Sequence, residues 1–489
     1  GGAGVTNLIL GPMIGGLSDT QAYIWGRTDG PGTLYAWVGR NPDLSDLSQP
    51  TAQSLPLSAQ NGFAGVVPIN DLQPESEYYY TVTLDPTLQS PLVWPYPKFS
   101  TFPPKGATRS FSFVFGSCFL PKDQDSGGIF DHIQTMRFQR ESQPEKALRF
   151  MLLIGDQIYA DAYQYNQLDR VALSLDDYRK VYTYTWSRIP FRRLLQKIPA
   201  YMTLDDHEVD DDWTWVDMAR TQASIPIWDR LIRWWHRRPE AERRLTPERV
   251  KNALHAYWEH QGMHARGYLS SLALDDGARY TLAPDDSGSL AYQFTVGRAA
   301  FFVLDTRTMR VKSRDGQRVM LGEGQWQSLI KWLDEVKDTY PVKFIVTSCA
   351  MLYQLRFDIP KDRWTGFEEE RRRFIEALRE RDCRGVYLLA GDLHSAHSMQ
   401  VEIPGHAGPI PLWEFCSSPF EQKPTRSTGY PWMRKPLPGD QAVSQELHFT
   451  YPDLNFGVVE VNLDDPQHPK VRFEVYGADG SLVHAVDTP

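Results

Sequence analysis

An α/β fold preceded by an all-β region is what this sequence predicts, on three observations. Six short apolar runs between Phe111 and Ala390 each stop at polar or reactive residues. Those runs alternate with stretches of helical spacing, the signature of an α/β sheet. Residues 1–104 differ, with short alternating runs broken by Gly, Pro and Asp, as in an all-β sandwich.

In chain order, 21–25 and 33–38 are the clearest early strands. Residues 72–82 give a turn and then a strand with a tyrosine near its start. That is the corner pattern of an immunoglobulin-like or fibronectin-like sandwich. The segment Phe102-Pro103-Pro104-Lys105-Gly106 has linker composition, so the expected domains are 1–104 and 109–489. The six predicted strands are 111–115, 150–154, 200–204, 299–304, 342–347 and 386–390. They end at Gly116-Ser117-Cys118, Gly155-Asp156, Asp205-Asp206-His207, Asp305-Thr306-Arg307, Ser348-Cys349 and Gly391-Asp392-Leu393-His394. Open α/β sheets place their chemistry at such strand ends. Residues 161–198 and 213–266 are expected to be helical insertions. The second carries Trp228, Trp234, Trp235, Arg237 and Arg238, and is expected to be an amphipathic lid or packing helix rather than a nucleic-acid contact. Residues 368–381 have helical spacing, and 457–462 with 471–476 predict a terminal hairpin.

At 489 residues the chain is too long for one small core, and 41% hydrophobic with 23% charged residues is ordinary globular composition. The net charge of −9 argues against non-specific binding to nucleic acid or anionic lipid. It leaves a phosphorylated small molecule open as substrate, because bound cations invert the local charge. No apolar run is long enough to span a bilayer. The chain starts Gly1-Gly2, so its compartment is not read from its beginning, and nothing sets its oligomeric state. Cys118, Cys349, Cys383 and Cys416 include no C-x-x-C, hence no zinc or redox pair by spacing. Free, buried thiols are expected.

Residues 204–213, Leu-Asp-Asp-His-Glu-Val-Asp-Asp-Asp-Trp, pack six carboxylates and one histidine into ten positions. Like charges this close repel, and no helix or strand needs them. Such a run is either a solvated acidic loop or a site for a hard cation beside an acid/base group. In Gly155-Asp156-Gln157-Ile158-Tyr159, a strand-end Asp can bridge two metals and Tyr159 can return a phenolate to the same site. Phenolate suits trivalent iron. Asp392 and His394, one residue apart, would share a face of an extended segment. Cys118 offers a thiolate once a metal deprotonates it.

The order GSC (116–118), GDxxY (155–159), DDHE (205–208) with an acidic tail, LDTR (304–307), GxxQW (322–326) and GDLH (391–394) resembles the PhoD-type alkaline phosphatases. These are similar in turn to the purple acid phosphatases within the calcineurin-like metallophosphoesterases. The resemblance spans nearly the whole chain. It implies a metallophosphoesterase sheet sandwich flanked by helices, after an N-terminal β-sandwich, with Fe3+ and Ca2+. By position, Cys118, Asp156, Tyr159 and His394 would hold iron. Asp156 would bridge to calcium, held also by Asp206, Asp212 and Asp392. Asp205 is a ligand or an outer partner. The family's tail often carries Asn where this chain has Asp210-Asp211-Asp212. That leaves Mn2+, Zn2+ or Mg2+ open at the second site. His207 would give a proton to the leaving oxygen or touch the phosphate. Arg307 would clamp a phosphate oxygen bidentately or pair with Asp305 or a neighbouring acid.

The implied activity is hydrolysis of phosphate mono- or diesters. Two cations about 3.5–4 Å apart would lower the pKa of a water that attacks in line. The alternatives are another metal-activated ester or a phosphotriester, or a non-catalytic binding protein with a degenerate site. The expected partner is a small phosphorylated substrate, with nucleic acid only as possible substrate. The resemblance implies a periplasmic or extracellular place if an export signal was removed, otherwise a cytoplasmic one.

Overall fold

The structure, a computed structural model, describes residues 4–89, 95–217, 222–265, 272–274, 280–282, 289–312, 318–353, 362–425 and 436–489. Period-two spacing decides its central layers. Along Ala299–Val303, Phe301 and Val303 enter one core while Ala300 and Phe302 enter another. Along Val342–Thr347, Phe344 and Val346 face the first core and Ile345 the second. Strands apolar on both faces need a layer on each side.

These strands belong to a seven-stranded mixed sheet, in the order Tyr292–Val296, Ala299–Val303, Val342–Thr347, Val386–Ala390, Ile410–Cys416, Ala396–Ile403, Ser444–Tyr451. A six-stranded sheet runs Ala200–Thr203, Leu148–Ile154, Phe111–Gly116, Asn455–Asn462, Lys470–Gly477, Leu482–Asp487. The predicted terminal hairpin is thus two central strands of that sheet. Aromatic rings join the sheets face to face. Phe113 meets Phe301 at 5.5 Å and Phe344 at 5.4 Å between centroids, and Phe150 meets Phe294 at 5.7 Å.

The helices are α1 (Gly128–Arg140), α2 (Leu175–Trp186), α3 (Ile189–Lys197), α4 (Ile227–Trp235), α5 (Glu240–Arg243), α6 (Pro247–Tyr257), α7 (Glu323–Val336) and α8 (Glu368–Glu380). A π-helical turn, Trp258–Gly262, extends α6. Ser174 caps α2 in a capping box with Asp177. Helices α7 and α8 cover the outer face of the seven-stranded sheet through Trp326, Leu329, Phe374 and Leu378. Two expectations need correction. The insertion at 161–198 is helical only from Leu175, because 161–174 is spent on turns held by Asn166, whose side-chain amide donates to Ala160 O and Arg170 O. The insertion at 213–266 opens with strands Thr214–Asp217 and Gln222–Ser224, which pair antiparallel before α4. Among the described residues no helix is long and apolar enough to cross a membrane. All four cysteines are free and buried.

Residues 8–100 form two antiparallel sheets, of three strands (Leu8–Gly15, Ala22–Thr28, Ala64–Ile69) and four (Ala52–Gln53, Tyr35–Gly39, Glu77–Thr83, Lys98–Ser100). At the tyrosine corner, Gln73 N–H donates to Tyr78 Oη at 2.8 Å. This region shares one continuous core with the six-stranded sheet. Phe102 is buried against Phe150 and Tyr201, so the crossing at 102–106 is packed rather than a loose tether. Trp25 is fully buried, meets Trp186 edge-on and donates its indole N–H to Glu259 O at 2.9 Å. Truncating it empties a cavity shared by both regions. Trp25→Ala is expected to cost about 3–5 kcal/mol of stability. Denaturant unfolding followed by near-ultraviolet circular dichroism checks it. A shift confined to an early transition would mean that the two regions unfold separately.

Candidate metal centre

Three neighbouring parallel strands, Phe111–Gly116, Leu148–Ile154 and Ala200–Thr203, deliver Cys118, Asp156 and Asp205-Asp206-His207 to one edge. The second sheet delivers Gly391–His394 to the same edge, where Asp392 N–H donates to Ser117 Oγ at 3.2 Å. The approach tolerates no side chain at two points. A Cβ on Gly391 would lie 2.4 Å from Ser117 Oγ, and one on Gly155, at φ +95°, would lie 2.6 Å from Asp205 Cβ. Cys118, Asp156, Asp212, Asp392 and His394 all have positive φ, between 47° and 68°. Non-glycine residues hold that conformation only where the surroundings impose it, as functional sites do. Asp392 and His394 therefore converge through a turn. The expected alternation along an extended segment is not present.

Asp156, Asp205, Asp206 and Asp392 each offer a carboxylate oxygen within 4.8 Å of the others'. Asp206, Asp211 and Asp212 form an adjoining set, as do Asp156, Asp206 and His207. On the other side of Asp156, the Cys118 thiol donates to its Oδ2 at 3.4 Å, and Tyr159 Oη lies 3.4 Å from His394 Nε2. The structure thus brings every predicted ligand to one edge.

Burial, and then the neighbouring carboxylates, push Asp156 and Asp212 well above the usual range. Asp392 is pushed up to about 7 by burial, against the pull of Arg363. Burial raises the Cys118 thiol to about 11 and lowers His394 to about 4. Asp205 spends one oxygen on Arg307 Nε and Ser348 Oγ, at 2.8 and 2.9 Å. Its other oxygen, Oδ2, is buried without a hydrogen-bond partner among the described residues. Crowded carboxylates with an orphaned oxygen suit hard divalent cations. The thiol, phenol and imidazole around Asp156 suit a transition metal.

His207 forms part of the wall of an open cleft of about 590 Å³, with Tyr159, Asp161, Asp211, Arg233, His394 and Lys423. Its Nδ1 lies 2.8 Å from Asp161 Oδ1, and its ring stacks on Tyr159 at 4.3 Å. Burial alone would lower its pKa, but Asp161, Asp206 and Asp211 together raise it well above the ordinary value. Arg307 is placed differently from the phosphate clamp expected. It is fully buried, with Nη1 and Nη2 on Asp362 at 3.0 and 2.5 Å and Nε on Asp205. Its ion-pair partners are Asp362 and Asp205, not Asp305. Asp305 instead accepts the N–H groups of Leu290, Arg307 and Thr308.

Several supporting groups were not assigned from sequence. Glu208, buried and raised to about 7 by burial, accepts the N–H groups of Asp156, Gln157 and Asp205 at 3.0–3.1 Å. Asp210 pairs with Arg233 and Arg249 and is not directed at the cluster. Asp362 joins Arg307, Arg310 and Lys312, and Arg363 lies 3.0 Å from Asp392. Asp161 had a signal, five residues after Asp156. Asp362 and Arg363 stand in no recognisable motif.

Removing the Arg307 charge would leave buried Asp205 without its ion-pair partner, while Asp362 keeps Arg310 and Lys312. Arg307→Met is expected to cost about 3–5 kcal/mol of stability. A denaturant midpoint measures it. An unchanged midpoint with a raised KM for a phosphate ester would restore the clamp role.

A sequence profile of the PhoD-like phosphatases matches residues 113–472, and one of a domain of unknown function (DUF7800) matches 5–106. Alkaline phosphatase D of Bacillus subtilis (strain 168) is 24% identical over 375 residues, which are 69% of this chain. The match spans 54% of that relative, about half its length. A solved structure of PhoD aligns over 98% of this chain and 91% of its own, at TM-score 0.69 and 17% identity. The purple acid phosphatase from yellow lupin (Lupinus luteus) seeds aligns over 97% and 73%, at TM-score 0.55 and 12% identity. At these identities the two structures show a shared fold. With the profile covering most of its length, the chain belongs to the PhoD-like phosphatase family.

Proposed function

We propose that the chain hydrolyses phosphate mono- or diesters at a two-metal centre built on Asp156. The observation that carries this is the buried convergence of Asp156, Asp205, Asp206 and Asp392 within 4.8 Å, beside His207 in an open cleft. In this reading Cys118, Asp156, Tyr159 and His394 hold Fe3+. Asp156, Asp206, Asp212 and Asp392 hold Ca2+, and Asp205 turns its orphaned oxygen to the same cluster. Bound there, the cations would neutralise phosphoryl oxygens and lower the pKa of a coordinated water.

The chain's own groups supply the rest. Lys423 gives the cleft wall a positive charge for an anionic ester. Asp161 fixes His207 through Nδ1, so Nε2, 3.5 Å from Asp211 Oδ1, would be the nitrogen that gives up a proton. Asp161, Asp206 and Asp211 favour the charged ring, the form a general acid needs. The leaving oxygen would take that proton while water enters in line from the opposite side. Arg307 and Glu208 act by holding the carboxylates in place. We read the two N-terminal sheets as an immunoglobulin-like sandwich that braces this domain and carries no chemistry.

Purified protein should contain iron and a divalent ion and turn over a chromogenic phosphate ester. Elemental analysis with mono-, di- and triesters side by side is the test, and a metal-free, inactive chain would overturn the reading. His207→Ala should lower kcat by about 10²-fold or more at unchanged metal content. Metal lost in step with activity would make His207 a ligand or a structural residue. Tyr159→Phe should shift or abolish a visible charge-transfer band and loosen iron. An unchanged spectrum at full iron occupancy would make Tyr159 a packing residue.

A further inference from the structure

Helix α4 has its apolar face turned outward. A surface helix ordinarily buries its apolar stripe and shows its charges to water. Here the buried side chain is Arg233, 4% exposed, which donates to Asp210 Oδ2 at 2.9 Å and to Glu242 O at 2.7 Å. The exposed ones are Ile227, Trp228, Leu231, Ile232, Trp234 and Trp235, at 48–77%. At 100° per residue those six span less than half of the helix circumference. They therefore form one continuous apolar surface, and desolvating it would be favourable. The sequence alone suggested the opposite orientation, with the tryptophans packed or folded over the site as a lid.

We propose that α4 docks the rim of the metal cleft onto an anionic phospholipid bilayer surface. Three features select that occupant. Tryptophan prefers the boundary between headgroups and acyl chains, and a short helix with Trp and Leu on one side and Arg around it is an interfacial design. Apart from buried Arg233, residues 229–244 hold five arginines against three carboxylates, a basic patch in a chain of net charge −9. At physiological salt a screening length of about 8 Å lets that patch, rather than the net charge, set the local field. Trp234, Trp235, Arg237, Arg238 and Arg243 line a surface hollow of about 630 Å³, which offers a phosphate headgroup cations and aromatic walls together. Self-pairing of α4 about a twofold axis would instead bring the two arginine clusters together. The site lies at the edge of the catalytic cleft, because Asp229, Ile232 and Arg233 of the same helix line it. The inference does not depend on which ester is cleaved.

Sedimentation of the full chain with vesicles tests it. The chain should pellet with vesicles of phosphatidylglycerol and phosphatidylcholine, bind pure phosphatidylcholine more weakly, and come off as salt is raised. Trp228→Ser, Trp234→Ser and Trp235→Ser combined should lower vesicle affinity about tenfold or more. The melting curve and turnover of a soluble ester should stay as in the parent. If that variant fails to fold, Arg230→Glu with Arg237→Glu should remove the preference for phosphatidylglycerol. A parent chain that stays in the supernatant at low salt would overturn the proposal. So would variants that pellet like the parent, or an oligomer abolished by the tryptophan changes without vesicle binding. Loss of ester turnover in the parent would sink the phosphatase reading and leave this one standing.

Discussion

Mutual repulsion of buried carboxylates is the constraint on which this structure turns. Asp156, Asp205, Asp206 and Asp392 bring their oxygens within 4.8 Å of one another, the first three shut off from water and Asp392 partly exposed. Unaided, such a group would push apart or take up protons. Two devices oppose this in the chain itself. The Arg307 fork ties Asp205 to Asp362, and Arg363 sits beside Asp392. The Glu208 carboxylate collects three backbone N–H groups from the Asp156 and Asp205 loops. Glu208 adds negative charge to an acidic region, yet it fixes the distance between two strand ends. Cations at the cluster would complete the neutralisation, which is why the arrangement suits metal chemistry.

The rest of the fold can be understood as support for that edge. Two aromatic-packed sheets set their strand ends side by side, and glycines at 155 and 391 permit the close approach. Gln157 links the edge to the π-helical turn, since its side-chain amide donates to Thr203 O and to Gln261 Oε1. The same turn accepts the Trp25 indole through Glu259 O. The N-terminal sheets are thereby joined to the acidic cluster by a chain of hydrogen bonds and stacked rings. Strain at the positive-φ residues Cys118, Asp156, Asp212, Asp392 and His394 is tolerated because this packing leaves those loops no other course.

The acidic run itself is divided by the fold. Asp205, Asp206 and Asp212 turn to the cluster, while Asp210 turns the other way to Arg233 and Arg249. Asp210 is thus the anchor of α4, and its pairing with Arg233 is what leaves the tryptophans facing out. The acidic run and the helix that presents an apolar surface are joined by the buried Asp210–Arg233 ion pair.

Much of this was legible in the sequence. Short apolar runs placed the six predicted α/β strands to within about two residues, because a doubly buried strand must be apolar throughout, but Tyr292–Val296, Ala396–Ile403, Ile410–Cys416 and Ser444–Tyr451 were not expected. The acidic cluster was legible as a candidate because Asp156, Asp205, Asp206 and Asp392 stand at strand ends, where such side chains can converge. Orientation was not. Whether Arg307 faces solvent or a buried acid depends on Asp362, 55 residues away in the chain. Helix α4 has the same amphipathic spacing whichever face turns inward, so only its pairing with Asp210 decides the matter. Local pattern determines what an element is and which chemistry it carries. Contacts between residues far apart in the chain decide which way it faces, because the energy of a buried charge lies in its partner.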